Sequence, residues 1–369
     1  MESANQLLKN IPWGRISLFA ILIVMTFLPF VLAINIVDLD NNAIAFDWRQ
    51  SFHGAIWLEN FGWGIRRFQT PPWSVMFLLP FTALSFGLGW AAMMYVTTIA
   101  LVLAVPRRPS RNKWLVGTLL LLTAHPVLRN FADVNLEGFL IAGVLISLYA
   151  FHEKKPYILA LGILIAGLKP QGVFLVFIIM GLYMLRTFHW RDIGKVVAVC
   201  GCVFIVTMLL WGQVWLESLT LLPAGISLSA SLADLGLSTI GISIIRAIVV
   251  LVSLIVAYRG EPTLDRAKVG LLIAASVLVA PYANGLSLVT SLAFGGIAIF
   301  MSRPWLGIFV FLIYNLPYVQ ALGVNSFTIE DSLYYMIIQL ILWSILLVDV
   351  YRDNQPTKRE RSTLKEDIQ

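Results

Sequence analysis

Residues 72–87, PWSVMFLLPFTALSFG, form an apolar run that can either cross a membrane or dip into it and return. The choice sets the side of every later loop, because each crossing inverts the remainder of the chain. A crossing here would turn the basic clusters of the later loops outward, against the positive-inside rule. We therefore predict a re-entrant helix that stays on the outer side, with an ordinary short hairpin as the alternative.

The composition around this run is that of an all-α, polytopic membrane protein. The chain has 369 residues, of which 59% are hydrophobic and 12% charged, and its mean hydropathy is +0.84. Apolar runs of about 15 to 22 residues recur along it, as expected for membrane-spanning helices. About twelve spans are predicted, near residues 16–36, 87–105, 114–129, 135–152, 156–168, 171–187, 194–214, 237–258, 267–281, 285–301, 304–322 and 333–351.

These spans predict a single transmembrane domain, residues 1–351, and a charged cytoplasmic tail, residues 352–369. The first span follows Lys9 and Arg15 but lacks a small-x-small cleavage site, so we interpret it as an anchor that is retained. The tail is poor in apolar residues, which favours a solvated, partly disordered end.

The distribution of Lys and Arg predicts the orientation. With the N-terminus inside, 20 of the 26 Lys and Arg fall in cytoplasmic segments, which places both termini in the cytoplasm. The formal net charge of +6 therefore follows the topology and does not indicate nucleic-acid binding. Five other cations fall in or beside outward-facing segments: Arg49, Arg66, Arg67, Arg129 and Lys169. Cations there suit an anionic lipid headgroup, with ion pairing or snorkelling as the alternative for any single one.

The long first outer loop, residues 37–86, is dense in polar and aromatic residues within an otherwise apolar chain. Asp47 lies there, beside Trp48, Arg49 and His53. Tryptophans can stack on a sugar ring, but for most of them an aromatic belt at the membrane interface is the stronger interpretation. The loop is the predicted location of the site.

Two helix breaks are predicted on the same outer side. Pro170 lacks an amide donor and disfavours helix at the residue before it, so the chain breaks at Lys169-Pro170-Gln171. Residues 280–285, APYANG, form the second break. Non-helical backbone at membrane depth lines a cavity or is buried in protein, so both breaks indicate parts of a site. A plain helix–helix turn is the alternative for each.

The residues restrict the chemistry. The sequence has no Walker loop, no dinucleotide fingerprint and no metal-spaced set of His or Cys, so neither a cofactor nor a metal is predicted. Sugar transfer from a lipid-phosphate donor needs only one outward-facing carboxylate, and Asp47 is the leading candidate. This reaction needs a base for the acceptor hydroxyl, whereas the phosphate leaving group requires no general acid. Cations would stabilise the charge that develops on the phosphate.

The order of several short motifs resembles the GT-C glycosyltransferases, and glycosyltransferase family 87 in particular. The motifs are the aspartate in the outer loop, Pro71-Pro72 before the apolar dip, His125-Pro126, Val134-Asn135-Leu136, the segment from Gly167 to Gln171, and the segment from Ala280 to Ala283. The resemblance implies a GT-C-like fold and a polyprenyl-phosphate sugar donor, with mannose as the sugar.

The resemblance also implies roles for individual residues. Asp47 would be the general base, with Asp38 and Asp40 as rivals, and Lys169 and Gln171 would lie near the donor phosphate or sugar. Asn135 matches an asparagine in a Gly-Gln-x-Asn-like element. That element here reads ADVN, residues 132–135, so the sugar and acceptor specificity stays open.

The sequence thus predicts an inverting, multi-pass glycosyltransferase of the cell membrane, whose site faces outward. Its partners would be a polyprenyl-phosphate sugar, a lipid or glycan acceptor and membrane lipids. The predicted substrate-binding residues are Arg49, His53, Arg66, Arg67, Arg129, Asn135, Lys169, Gln171, Tyr282 and Asn284. The alternatives are a transporter or flippase of lipid-linked sugars and a non-catalytic membrane scaffold.

Overall fold

The computed structural model describes residues 48, 52, 70–107, 110–219, 228–281, 283, 285–317 and 329–354. Within these ranges every regular element is a helix, so the predicted all-α fold is confirmed. The polar part of the outer loop, residues 37–72, is called the polar loop below. The predicted span 16–36, most of the polar loop and the tail from residue 355 onward lie outside the described residues.

The helices of the described ranges are numbered in chain order. They are α1 Ser74–Thr82, α2 Phe86–Ala104, α3 Arg111–Leu122, α4 His125–Asp133, α5 Glu137–His152, α6 Pro156–Ala166, α7 Phe174–Thr187, α8 Trp190–Leu219, α9 Thr239–Tyr258, α10 Arg266–Val279, α11 Gly285–Ser302, α12 Pro304–Tyr314 and α13 Ile329–Asp353. Short 3-10 segments occupy Pro170–Gly172 and Leu228–Leu235. Helix α11 is irregular, because a 3-10 turn at its start and a π segment, Leu292–Gly296, interrupt its α-helical hydrogen bonding.

Several of these helices have the length and composition of membrane spans. In the described ranges, five meet both criteria: α2, Trp190–Gln213 of α8, α9, α11 and Leu333–Asp353 of α13. Helices α3 and α4 add a sixth span if they are taken together, with a bend of 54° between them. The chain is therefore a membrane protein with several apolar helices.

Four further apolar helices, α5, α6, α7 and α12, are too short to cross a membrane alone. They have 11 to 16 residues and extend about 16 to 24 Å at about 1.5 Å per residue. The hydrocarbon core of a bilayer is about 30 Å thick. A helix of this length that starts at one membrane surface therefore ends within the hydrocarbon layer, where its polar backbone ends need protein partners.

Side-chain contacts define two ends of the bundle. At one end, which we call the basic end, Lys113 Nζ donates to Met301 O at 3.2 Å, Arg303 pairs with Asp349, and Asn354 Nδ2 donates to Val256 O at 2.8 Å. At the other, the loop end, Trp90 Nε1 donates to Phe131 O at 3.1 Å and the His125 amide donates to Asn315 Oδ1 at 2.7 Å. The cations of the basic end belong to segments that the charge pattern predicts to be cytoplasmic.

Helices α5 and α6 pack closely against each other. A Cβ added to Gly143 on α5 would lie closer than 3.0 Å to the backbone of Ala166 on α6, and one added to Gly162 would meet Ser147. Each helix thus presents two small residues four apart, the spacing that lets helix backbones approach closely in membranes. This packing fixes the start of α5 against the end of α6.

Large apolar side chains are exposed on the outer helices of the bundle, as expected for a surface in contact with lipid. Helix α10 is central, because all its residues from Lys268 to Leu278 are buried. Helices α8 and α9 are peripheral and expose large side chains, among them Leu209 at 82% and Ile240 at 74%. An exposed apolar surface of this extent would be a liability in water and fits a lipid environment.

Helix α1 lies within the apolar run 72–87, directly after the polar loop. It has nine residues, with Pro80 inside it, so it extends only about 14 Å. Its start is held at the loop end, because Trp73 Nε1 donates to the carbonyl oxygen of Leu164 at 3.0 Å. Ser74 Oγ donates to Pro71 O at 2.5 Å and closes the first turn.

Candidate active site

Three helix breaks meet near the loop end. They lie between α4 and α5, between α6 and α7, and between α10 and α11. Side chains from the first two breaks and from the early part of α11 form a group of three buried residues and one half-buried residue, which we call the polar cluster. Its members are Asn135, Glu137, Lys169 and Thr290.

Lys169 and Glu137 form the core of the polar cluster. Lys169 Nζ lies 2.5 Å from Glu137 Oε1, and the two residues are only 6% and 1% exposed. Charged residues are almost never this buried unless they are paired. Removing one partner of a buried ion pair costs about 3–5 kcal/mol, because the other charge is left uncompensated. The pair therefore fixes both side chains.

Asn135 adds a second acceptor for the ammonium. Its Oδ1 accepts a hydrogen bond from Lys169 Nζ at 3.1 Å and another from the backbone amide of Leu136 at 2.7 Å. The second bond is a local side-chain-to-backbone contact of the kind that asparagine favours where a helix begins. The break before α5 thus supplies both acceptors that orient Lys169.

Thr290 connects the ion pair to the rest of the bundle. Its hydroxyl donates to Glu137 Oε2. The next residue, Ser291, accepts from Gln339 Nε2 at 2.7 Å, and Gln339 Oε1 accepts from the Tyr314 hydroxyl at 2.8 Å. All these groups are buried. The backbone step from Thr290 to Ser291 therefore connects the ion pair to hydrogen bonds that reach α12 through Tyr314 and α13 through Gln339.

Backbone irregularities flank the polar cluster on two sides. Val134, immediately before Asn135, has φ 56° in the left-handed region, an outlier for a β-branched residue. On the other side, the π segment of α11 begins at Leu292, two residues after Thr290. Strained residues and π segments concentrate at functional sites, where surrounding structure holds them in place.

The polar cluster lies deep in the bundle. Helix α6 starts beside the α5–α6 turn at the basic end and has 11 residues, or about 16 Å. Lys169 follows its last residue, Ala166, by three positions. The ammonium is therefore separated from the basic end by at least the length of α6, which is about half of the roughly 30 Å thickness of a hydrocarbon core.

Two tryptophans, Trp48 inside the polar loop and Trp73 directly after it, are anchored to the bundle. Trp48 Nε1 donates to Phe86 O at 3.0 Å, at the first residue of α2. The Trp73 ring also packs on Gly167, two residues before Lys169. A Cβ added at Gly167 would lie 3.4 Å from the ring. The second anchor thus places the end of the polar loop beside the break that carries Lys169.

The other predicted site residues have different surroundings. Arg129 Nε lies 3.5 Å from Asp133 Oδ2 on the next turn of α4, in a half-buried pair that is separate from the polar cluster. Gln171 is half-buried in the 3-10 turn after Lys169. Outside the described residues lie Asp38, Asp40, Asp47, Arg49, His53, Arg66, Arg67, Tyr282 and Asn284.

The family model of glycosyltransferase family 87 matches residues 68–283, more than half of the chain. The chain belongs to glycosyltransferase family 87. The family predicted from the order of the motifs is thereby confirmed. No curated protein and no solved structure matches the sequence.

This family 87 protein is a membrane glycosyltransferase. The matched residues include Asn135, Glu137 and Lys169 but neither Asp47 nor Thr290. The ion pair thus lies within the part of the chain that carries the family assignment. Within the described residues, no group of three His, Cys, Asp or Glu side chains could hold a metal ion.

Sequence reasoning identified Asn135 and Lys169 but missed Glu137 and Thr290. A signal for Glu137 was present, because it is a carboxylate at the start of the predicted span 135–152. Ionisable groups at membrane depth are functional candidates by default. Thr290 had no comparable signal, since hydroxyl residues in apolar helices commonly bond to the backbone of their own helix.

Proposed function

We propose that the protein transfers one sugar, mannose by family resemblance, from a polyprenyl-phosphate donor to a lipid or glycan acceptor on the outer face of the cell membrane. The observation that carries this proposal is a buried ammonium, Lys169, oriented by a carboxylate and an amide where three helix breaks meet. A cation held in a site of low dielectric is suited to the charge of a phosphate leaving group.

The proposed reaction inverts the configuration at the sugar. The acceptor hydroxyl oxygen attacks the anomeric carbon from the face opposite the phosphate, and its proton passes to Asp47. The bond between the anomeric carbon and the phosphate oxygen breaks, and the electron pair leaves with the phosphate. Lys169 stabilises that charge, while Gln171 contacts the donor phosphate or sugar.

The remaining predicted residues complete the proposed binding site. Arg49, Arg66 and Arg67 would contact the anionic donor from the outer loop, and His53 would lie beside the base. Tyr282 and Asn284 would line the third helix break. The anchoring of Trp48 on α2 supports this assignment, because it keeps the sequence neighbour of Asp47 on the bundle.

The proposed topology has twelve spans with both termini in the cytoplasm. Residues 72–87 form the re-entrant helix, the outer loop comprises residues 37–86, and residues 352–369 form the cytoplasmic tail. The short α1 supports this arrangement, because nine residues cannot cross a bilayer. The gathering of predicted cytoplasmic cations at the basic end supports it further.

A flippase of lipid-linked sugars is the second candidate function. The depth of the Lys169–Glu137 pair favours it, because alternating access uses a site near the midplane, often at broken helices. Family membership favours transfer and places this candidate second.

One assay separates these functions. Purified protein in liposomes is given a radiolabelled polyprenyl-phosphate mannose and a lipid acceptor extract, and both transfer and transbilayer movement are scored. We expect transfer, which Asp47→Asn abolishes without loss of donor binding, whereas Asp38→Asn and Asp40→Asn retain it. Near-wild-type turnover of Asp47→Asn would remove Asp47 as base. Transbilayer movement without transfer would replace the proposed function with that of a flippase.

A further inference from the structure

We propose that Glu137 is a positioning residue for the donor phosphate, acting through Lys169 and anchored by Thr290. The inference rests on the proposed function and assigns a role to a carboxylate that the sequence motifs do not mark. It starts from three hydrogen bonds that meet on one buried side chain and its partner.

The Glu137 carboxylate is poorly placed to act as a base. Its Oε1 accepts from Lys169 Nζ at 2.5 Å, and its Oε2 accepts from the Thr290 hydroxyl. Both oxygens are therefore engaged by donors, and the residue is only 1% exposed. A carboxylate that takes a proton from an acceptor hydroxyl must contact that hydroxyl. Glu137 can influence the reaction only through the groups that it holds.

The group that Glu137 holds most directly is the ammonium of Lys169. An ammonium carries three donors, and Glu137 and Asn135 accept two of them. Both acceptors come from the same break, and among the described residues Lys169 Nζ donates to these two alone, so its third donor is available to a phosphate oxygen. A preorganised donor needs no reorientation as charge develops on the leaving group.

Thr290 makes the position of Glu137 depend on a third helix break. It lies in α11, which begins after the break that follows α10. Its hydrogen bond ties the start of α5 to α11, while the ion pair ties α5 to the end of α6. The position of the Lys169 ammonium thus depends on α5 and α11 as well as on the break between α6 and α7 that carries Lys169.

The test is a double-mutant cycle in donor kinetics. Glu137→Gln keeps the shape and an acceptor but removes the charge, and Lys169→Met removes the ammonium with little change in length. The double variant Glu137→Gln/Lys169→Met leaves no buried charge unpaired, so it separates folding from function. The donor is polyprenyl-phosphate mannose, and kcat and KM for the donor and for the acceptor are measured along with thermal unfolding.

We expect Lys169→Met to lower kcat/KM for the donor by at least about 100-fold. Glu137→Gln should lower it by at least about 10-fold, with KM for the acceptor unchanged. Because Glu137 acts only through Lys169, adding Glu137→Gln to Lys169→Met should cause no further loss. A control variant in an exposed ion pair, Asp192→Asn, should leave the donor kinetics unchanged, since its partner Lys195 is 44% exposed at the side chain.

The outcomes distinguish the two proposals. A wild-type protein that transfers no sugar overturns the proposed function, and this inference with it. A wild-type protein that transfers sugar while the losses of the two single variants add in the double variant overturns the positioning role alone. So does a Glu137→Gln variant whose donor kinetics match wild type. If the double variant loses no more than Lys169→Met, both proposals are supported.

Discussion

The indole ring of Trp48 packs directly on Gly89. A Cβ added at Gly89 would lie only 2.6 Å from Cζ2 of that ring. The ring is wholly buried, and its nitrogen donates to Phe86 O at 3.0 Å. A side chain at residue 89 would occupy the space of the ring and would also meet the Phe81 carbonyl. The hydrogen bond and the close fit together hold this part of the polar loop on α2.

Gly89→Ala should therefore weaken both the fold and the site. Forcing a methyl group into a filled space typically costs about 1–3 kcal/mol, and here Trp48 would have to move. We expect a lower unfolding temperature in detergent and lower sugar transfer. Gly181→Ala in α7 is the matched control, because nothing lies within 4 Å of its Cβ position. Equal unfolding temperatures for the two variants would show that Trp48 does not fill this space.

Gly143→Ala should disturb the site from a distance. The new methyl group would meet the backbone of Ala166, which no rotamer change can relieve. Helix α6 would have to shift along α5, and the shift would carry Lys169 away from Glu137. We expect a higher KM for the donor together with a lower unfolding temperature. Gly201→Ala in α8, which has open space at its Cβ position, should change neither quantity.

Thr290→Val tests the anchor of the ion pair. The substitution keeps the shape of the side chain but leaves Glu137 Oε2 without its hydroxyl donor. An unsatisfied buried acceptor costs about 1–3 kcal/mol, so the unfolding temperature should fall. In Thr98→Val the lost bond runs to Met94 O within the same helix, and the loss should be smaller. A larger effect of Thr98→Val than of Thr290→Val would contradict the proposed anchor.

Cysteine labelling tests the topology. In a background with Cys200→Ala and Cys202→Ala, single cysteines are placed at Ser85, beside the start of α2, and at Glu153 in the α5–α6 turn, both exposed. A maleimide that cannot cross the membrane should label residue 85 in intact cells and residue 153 only after permeabilisation. The reverse pattern would invert the orientation, and labelling of both in intact cells would require a different number of crossings.

Much of the helical architecture could be predicted from hydropathy and proline positions. The predicted span 156–168 appears as Pro156–Ala166, because Pro156 suits the first turn of a helix and Pro170 prevents its continuation. The predicted span 114–129 is instead divided into α3 and α4. Pro126 lies in the first turn of α4, so the chain begins a new helix there.

The site was predictable only as separate pieces. Lys169 and Asn135 could be proposed because a proline break and a family motif mark them, but their contact joins residues 34 positions apart. Thr290 reaches Glu137 across 153 positions. Such a contact depends on how α11 packs against α5, and no local periodicity encodes that packing. Tertiary contacts between distant helices are therefore the information that the sequence pattern lacked.

The close packing of α5 against α6 also bears on how the protein enters the membrane. The two helices form a hairpin joined by a short turn, and Glu137 and Lys169 lie at its open end, only 32 positions apart. Contacts between segments this near in sequence form early, because little chain entropy is lost in closing them. The hairpin can thus insert as one unit with its opposite charges already paired. Pairing avoids the large penalty of carrying a lone lysine or glutamate into hydrocarbon.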